Sequence, residues 1–275
     1  MSHDRKPYVR EQGSRSHEYI YGRRPVWEVL RAGKRPLHRL WVVPGTTGDV
    51  MNEILEWARQ KGVPIESVPR DHLDRMVRGG NHQGVAAQAG ATSYLELDEF
   101  LSSLTPTPSP TGRGEGEGRT VVVALDEIED PQNLGAILRN AGFFGIAAVI
   151  VPRWRSAPVS DTVLRASSGA AEHLSIIRVR NLVDAIERLK DARFEVWGAD
   201  MGGETLGQSE PGKRQVLVLG SEGKGLRRLV REHCDKLVGI PGHGPVGSLN
   251  VASTSAIFLY ELCRRPSATL RADQH

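Results

Sequence analysis

Two regions of alternating helical and strand-like hydrophobic patterns organise the chain. In the first region, apolar residues recur at helical spacing in the segments 22–32, 50–61 and 71–77. Short apolar runs typical of strands follow these segments, at 40–43, 63–65 and 84–89. This alternation predicts a small α/β domain with its own core over residues 18–93.

The second region, residues 120–264, predicts a larger α/β domain. It begins with Thr120–Leu125, whose β-branched residues are typical of a fully buried strand. Further strands are predicted at 146–151, 174–179, 195–199, 215–219 and 237–240. Helices are predicted at 134–144, 161–168, 182–189, 226–234 and from about residue 250 through Leu262. Because strands alternate with helices, we expect a parallel sheet covered on both faces.

Polar and low-complexity stretches mark the expected boundaries. Residues 105–119 are rich in Pro and Gly and contain no large apolar residue, so they cannot contribute to a core. We interpret residues 94–119 as a linker between the two domains. Residues 1–17 are polar and without periodicity, which is typical of a disordered tail. Residues 265–275 are interpreted as a second tail.

Composition and charge limit the classes of function. The 275 residues carry a formal net charge of +3, but between Met1 and Arg39 ten Lys and Arg residues face only four acidic ones. Such a basic arm would suit contacts with the phosphates of a nucleic acid. No apolar run approaches the ~20 residues of a membrane span, and no secretory signal is visible, so we expect no membrane partner. The two cysteines form no Cys-x-x-Cys pair, which favours a reducing cytoplasm.

Unusual loops follow three of the predicted strands, where ligands of parallel sheets bind. They are Asp126–Asn133, Gly220–Gly225 and a Gly- and Pro-rich loop, Pro241–Gly247. The first lacks the Gly-x-Gly-x-x-Gly of a dinucleotide-binding fold, and the second lacks the Gly-Lys-Ser/Thr of a nucleotide-hydrolysing loop. The nine histidines include no His-x-x-x-His pair, so we expect no metal.

Three ordered motifs together resemble the SpoU/TrmH family of RNA ribose 2′-O-methyltransferases, which belong to the SPOUT class. They are Asn133–Arg139, Leu219–Leu226 and Ile240–Val251, and the resemblance spans essentially all of residues 120–264. The first domain is similar to the family's ribosomal-protein-like RNA-binding module, on the motif Asn81–Val85. The layout is most similar to the branch that methylates a guanosine of large-subunit ribosomal RNA.

The resemblance implies a fold, a cofactor and a set of site residues. The expected fold class is α/β, with a SPOUT-type parallel sheet that contains a trefoil knot and a small N-terminal α/β RNA-binding domain. The resemblance also implies S-adenosylmethionine as cofactor, ribosomal RNA as partner and a homodimer that completes the site. Backbone contacts to the cofactor are implied at Gly220, Ile240 and Leu249. Catalytic or RNA-handling roles are implied at Asn133, Arg139, Glu222, Ser248 and Asn250.

Several alternatives stay open at this point. Asn133, Ser248 and Asn250 are also residue types that cap helices. The family assigns the Arg as general base, but an arginine side chain keeps its proton in proteins, which favours a role for Arg139 in holding a phosphate or the developing alkoxide. Trp154, between two arginines, is a candidate for stacking on RNA bases or for anchoring its loop. Transfer RNA is the alternative substrate, and a non-catalytic RNA-binding assembly protein is the alternative of another class.

Overall fold

A computed structural model describes residues 18–104 and 119–264 of the chain. The predicted tails, 1–17 and 265–275, and most of the Pro- and Gly-rich stretch lie outside the described residues. The chain divides between Thr92 and Ser93 into two compact units. Each unit is described by itself below.

The first unit is a small α/β domain, as the hydrophobic pattern predicts. Its four-stranded sheet has the order β1-β4-β2-β3, and of these pairs only β2 and β3 run parallel. The elements are β1 (Glu18–Tyr21), α1 (Arg23–Ala32), β2 (Leu37–Val42), α2 (Asp49–Gln60), β3 (Ile65–Ser67), α3 (Arg70–Met76) and β4 (Val85–Ala89). The edge strand β1 is an addition to the prediction, because four residues are too few to show a clear period.

A histidine turn leads into β4 at the motif that resembles the RNA-binding module. His82 is buried, and its Nδ1 accepts the backbone N–H of Gly84 at 3.0 Å. Its Nε2 lies 3.1 Å from a carboxylate oxygen of Asp74, which accepts the remaining ring proton. Both ring nitrogens are therefore satisfied, and the turn is held in one shape.

The second unit contains a six-stranded sheet in which all neighbouring strands are parallel, which confirms the prediction. The strand order is β10-β8-β9-β5-β6-β7. The elements are α4 (Leu97–Ser103), β5 (Thr120–Asp126), α5 (Pro131–Phe144), β6 (Ala148–Pro152), α6 (Asp161–Ala166), a 3-10 turn (Ala170–Glu172), β7 (Ile176–Val179), α7 (Leu182–Asp191), β8 (Glu195–Thr205), β9 (Arg214–Gly220), α8 (Arg228–Glu232), β10 (Lys236–Gly239) and α9 (Val251–Cys263).

Both faces of this sheet are covered by helices. On one face, Val122 and Ala124 of β5 pack in the same core as Leu182 and Ile186 of α7. On the other face, α9 packs against β9 and against α5. The side chains of β5 from Val121 onward are all buried, which explains its uninterrupted apolar run.

The stretch interpreted as a linker, 94–119, is in part a structured piece of the second unit. Leu97 and Phe100 of α4 are buried in the same core as α7. The residues on either side of the Pro- and Gly-rich stretch also form hydrogen bonds within the second unit. The carbonyl of Leu104 accepts a hydrogen bond from Arg214 at 3.0 Å, and Arg119 donates to the carbonyl of Leu262 at 3.3 Å. Within the stretch interpreted as a linker, Leu97–Ser103 is thus a helix of the second unit, whose seven residues are too few to show a clear period in the sequence.

Candidate active site

Loops from β5 and β9 leave the sheet at the same edge. The last residues of the two strands, Asp126 and Gly220, lie side by side in the parallel pair. Gly220 has no room for a side chain, because a Cβ atom there would lie 2.2 Å from the carbonyl carbon of Gly225. Ser221 and Gly225 exchange backbone hydrogen bonds of 3.2 and 2.9 Å. The loop after β9 therefore folds back tightly on the end of its own strand.

An ion pair with a buried carboxylate fixes this loop to the end of β5. The fully buried carboxylate of Asp126 accepts hydrogen bonds from the backbone N–H of Arg227 at 2.8 Å and from its Nε at 2.6 Å. The guanidinium of Arg227 also lies 3.6 Å from Glu127. Charge-assisted bonds to a buried carboxylate are among the strong hydrogen bonds of proteins. Sequence reasoning missed this pair, since its two members are 101 positions apart.

Asn250 joins three separate loops through one side chain. Its Oδ1 accepts the backbone N–H groups of Ala252 at 2.8 Å and Ser253 at 3.4 Å, so Asn250 is the N-cap of α9. Its Nδ2 donates to Oδ1 of Asn133 at 2.9 Å and to a carboxylate oxygen of Glu222. The side chain therefore caps a helix and also ties the loops after β5 and β9 to the start of α9.

Asn133 is not a helix cap. The N-cap of α5 is Asp130, whose side chain accepts the N–H of Gln132, and Pro131 occupies the first turn. Asn133 follows within that turn and is only 9% exposed. Its Oδ1 accepts from Asn250, while its Nδ2 makes no hydrogen bond with any described residue. The alternative that Asn133 only caps a helix is thus excluded. Its amide N–H group is available to donate to a ligand.

A cavity of about 280 Å³ opens where these loops meet. Four of its lining side chains are carboxylates, and Lys224 is the one cation among the lining residues. The lining residues are Glu127, Ile128, Glu129, Asp130, Asn133, Ser221, Glu222, Lys224 and Val251. Two of the sequence-predicted site residues, Asn133 and Glu222, therefore line a single cavity and are joined through Asn250.

The loop between β10 and α9 presents its backbone to solvent. Residues 241–250 are all exposed, and the backbone of 241–249 makes no hydrogen bond with the described residues. Water can satisfy such exposed N–H and C=O groups, and a bound molecule can take its place. Gly239, at the end of β10, makes a close approach to β8, because its Cβ would lie 2.7 Å from the carbonyl oxygen of Asp200. This arrangement fits a cofactor that is held mainly through backbone groups, as expected for Gly220, Ile240 and Leu249.

Comparison with known families agrees with this geometry. Residues 120–260 match the model of the SpoU rRNA Methylase family, and residues 19–95 match the model described as RNA 2′-O ribose methyltransferase substrate binding. The chain belongs to the SpoU rRNA Methylase family. The predicted resemblance and the RNA methyltransferase class are thereby confirmed.

Relatives of this SpoU family member match over nearly its whole length. The putative TrmH family tRNA/rRNA methyltransferase YacO of Bacillus subtilis is 36% identical, over 92% of this chain and 97% of that protein. Two crystal structures with bound AdoMet share the fold. The SpoU methyltransferase AviRb of Streptomyces viridochromogenes has a TM-score of 0.71 at 23% identity, covering 90% of this chain and 89% of that one. An rRNA methyltransferase of Sinorhizobium meliloti has a TM-score of 0.72 at 24% identity, covering 90% and 86%.

Four further predicted site residues of the SpoU domain are not among those that line the cavity. Arg139 is exposed on α5 and makes no hydrogen bond or ion pair with the described residues. Ser248 and Leu249 lie in the exposed loop, and Ile240 is half-buried at its start. Ser248 is not the cap of α9, since Asn250 has that role. The roles assigned to all eight site residues stay predictions, as does the trefoil knot.

No helix in the described part of the chain is long and apolar enough to cross a membrane. Within the same residues, no group of three or more His, Cys, Asp or Glu side chains is arranged to hold a metal ion.

Proposed function

We propose that this chain transfers the methyl group of S-adenosylmethionine to a ribose 2′-hydroxyl of ribosomal RNA, on a guanosine of the large subunit. The observation that carries the proposal is the junction of Asn133, Glu222 and Asn250 at a cavity beside an unpaired backbone loop. S-adenosylmethionine, under the name AdoMet, is the molecule bound in the two related crystal structures. The guanosine and the large subunit come from the two-domain layout that the sequence shares with one branch of the family.

The cofactor is held through backbone groups at Gly220, Ile240 and the loop that contains Leu249. When bound, S-adenosylmethionine supplies a methyl group activated by its sulfonium, and transfer to a hydroxyl releases a thioether and a proton. The protein therefore has two tasks, to align the ribose oxygen with the methyl carbon and to handle the proton. Alignment in a closed site is worth several kcal/mol of barrier, or roughly 7–11 kcal/mol at best.

Asn133 and Glu222 are the side chains in position to contact the ribose. The Nδ2 group of Asn133 lies at the cavity wall and donates to a ribose or phosphate oxygen. Only one carboxylate oxygen of Glu222 is used by Asn250, so the other is available to accept a hydroxyl hydrogen bond. Asn250 positions Asn133 and Glu222 and does not contact the ribose itself, because its amide is fully occupied by four partners.

Arg139 acts at the site of a second subunit. It lies on the exposed side of α5, four residues before Phe143, whose side chain is 83% exposed. Ile257 and Tyr260 of the adjacent helix α9 are exposed large hydrophobic residues as well. Apolar side chains exposed on two packed helices favour a protein partner on this face. A homodimer covers the face and brings the Arg139 guanidinium to the ribose or a phosphate in the partner's site.

The first unit binds the RNA. Its α1 carries an aromatic and cationic cluster in which the guanidinium carbons of Arg24 and Arg31 lie 4.6 and 5.0 Å from the ring centre of Trp27. Arginine and tryptophan together suit phosphate and base contacts. The match of residues 19–95 to a substrate-binding model supports this division of labour.

Methylation of defined RNAs tests the proposal. Purified protein is incubated with labelled S-adenosylmethionine and either unmodified large-subunit ribosomal RNA or unmodified transfer RNA, and the methylated ribose is mapped. We expect label at one guanosine of the ribosomal RNA, and much less label when Asn133→Ala replaces the wild type. Label in transfer RNA alone would refute ribosomal RNA as the substrate but would still support methyl transfer to a ribose.

Calorimetry distinguishes the enzyme from an RNA-binding assembly protein. We expect S-adenosylmethionine to bind the wild-type protein, and Gly220→Ala to weaken that binding. An absence of both binding and methylation would favour the non-catalytic protein and end the proposal.

A further inference from the structure

An exposed tryptophan stands in the loop between β6 and α6. Trp154 is 70% exposed and lies between Arg153 and Arg155, which are also exposed. The guanidinium carbon of Arg153 lies 5.8 Å from the centre of the Trp154 ring. A largely exposed indole beside a cation is suited to a flat, negatively charged ligand.

The loop around Trp154 is fixed by its neighbours and not by the indole. The backbone N–H of Arg153 donates to the carbonyl of Val179 at 2.7 Å. Three residues beyond Trp154, the N–H of Ala157 donates to the carbonyl of Ile128 at 2.9 Å. Because these bonds hold the backbone on both sides, the exposed ring is not needed as an anchor. The fixed backbone instead holds the ring at one position on the surface, which lowers the entropy cost of binding a partner.

This loop is attached to the wall of the candidate active site. Arg155 donates to a carboxylate oxygen of Glu127 at 3.1 Å. Glu127 and Ile128, which accept from the loop on the far side of Trp154, both line the cavity. Trp154 is therefore adjacent in sequence to a residue that contacts the cavity wall directly.

Cations and aromatic rings continue away from Trp154 along the edge strand β7. Arg178 of β7 donates to the carbonyl of Arg153 at 3.4 Å, and its guanidinium carbon lies 5.1 Å from the ring centre of Tyr94. We call Tyr94, Arg178, Arg153 and Trp154 the arginine–aromatic patch. Alternation of rings and arginines is the pattern by which proteins bind single-stranded nucleic acid, through stacked bases and neutralised phosphates.

We propose that Trp154 stacks on an unpaired base of the RNA strand whose target ribose enters the cavity, and that the arginines of the patch contact its phosphates. The inference rests on the proposed function, since it names the contact that positions that substrate. Unpaired nucleotides are the part of an RNA whose bases are available for stacking on aromatic side chains. Trp154 is a positioning residue, because it contacts the strand beside the reacting ribose.

Binding and turnover of tryptophan variants test this contact. Affinity for unmodified large-subunit ribosomal RNA is measured with S-adenosylhomocysteine present, and kcat/KM is measured with S-adenosylmethionine. One stacked base contributes enough that Trp154→Ala should weaken binding about 5- to 100-fold. Trp154→Phe retains an aromatic face and should restore most of the loss. Leu229→Ala, which also removes an exposed apolar side chain, is the matched control and should behave as wild type.

Salt dependence separates stacking from charge. Trp154→Ala should leave the slope of log Kd against log salt unchanged, because no phosphate contact is lost. Arg153→Ala should reduce the magnitude of that slope by about 0.7, the value for one phosphate of a single strand.

Two outcomes would overturn the inference. One is wild-type affinity and kcat/KM in Trp154→Ala. The other is equal loss in Trp154→Ala and Trp154→Phe with a lower melting temperature in both, which would make the ring a structural element. If the wild-type protein methylates neither RNA but its RNA affinity still depends on Trp154 as expected, the proposed function fails and the stacking contact is supported.

Discussion

Asn250 has two roles that a pair of substitutions separates. Its Oδ1 caps α9, whereas its Nδ2 bridges Asn133 and Glu222. Asn250→Asp keeps the cap, because Asp and Asn are equally good N-cap residues. It loses the amide donor, however, and places a carboxylate against that of Glu222. Asn250→Ala loses both the cap and the bridge.

The expected magnitudes follow from these contacts. Loss of an N-cap costs about 1 kcal/mol. A hydrogen bond to an ionised group contributes about 1.5–3 kcal/mol, but Glu222 is exposed, so we expect about 1 kcal/mol for the bridge. Asn250→Ala should therefore lower the free energy of unfolding by about 2 kcal/mol and Asn250→Asp by about 1 kcal/mol. Both should lower the methylation rate at least about tenfold, because the two loops lose their common anchor.

Glu222→Gln provides the rescue. Its new amide can donate to the carboxylate at position 250, so the double variant Asn250→Asp/Glu222→Gln should recover about 1 kcal/mol relative to the sum of the single variants. Calorimetric unfolding of the full chain measures this coupling independently of the chemistry. Asn181→Ala is the matched control, because Asn181 caps α7 by accepting the N–H of Val183 at 3.0 Å. It should lose stability with unchanged methylation. Additive effects in the double variant would refute the bridging role of Asn250.

Four further predictions concern other parts of the second unit. Asp126→Ala should lower the unfolding free energy by about 3 kcal/mol, because Arg227 loses a buried partner for its side chain and its N–H; a change below about 1 kcal/mol in calorimetry would contradict this. Gly220→Ala should weaken S-adenosylmethionine binding by at least about tenfold, since the added methyl meets the backbone of its own loop; calorimetric affinity equal to that of wild type would count against the cofactor role. Burial raises the pKa of the Cys234 thiol from 9.0 to about 12, so its alkylation at pH 8 should be ~1,000-fold slower in the folded protein than in urea; equal rates would show that the thiol is not buried. Arg139→Lys should slow single-turnover methylation at every pH tested, and rates near those of wild type throughout would remove Arg139 from the mechanism.

The parallel sheet could be predicted from sequence because its strands are buried on both faces. A strand such as β5 then consists almost entirely of apolar residues, and its pattern cannot be confused with an amphipathic helix. The start of α5 was predicted three residues late, although Asp130 followed by Pro131 is a recognised signal of a helix start. The short elements β1 and α4 were missed, since four to seven residues carry too few apolar positions to show a period.

The site was predictable in part. The three loops could be placed at one edge of the sheet because each follows a strand of a predicted parallel sheet, but their residues were selected by resemblance to a family. The bridge through Asn250 spans 117 positions to Asn133, and hydrogen bonds between such distant residues leave no mark in local patterns. The same holds for Asp126 and Arg227. Trp154 was found by its arginine neighbours, whereas its attachment to the cavity wall emerged only from the folded chain.

The length of the Pro- and Gly-rich stretch does not set the length of the connection between the two units. Leu104 and Arg119, the described residues on either side of the stretch, both form hydrogen bonds within the second unit. The covalent connection between the first and the second unit lies instead at Thr92 and Ser93. Insertions or deletions within 105–118 therefore leave the length of the connection between the two units unchanged.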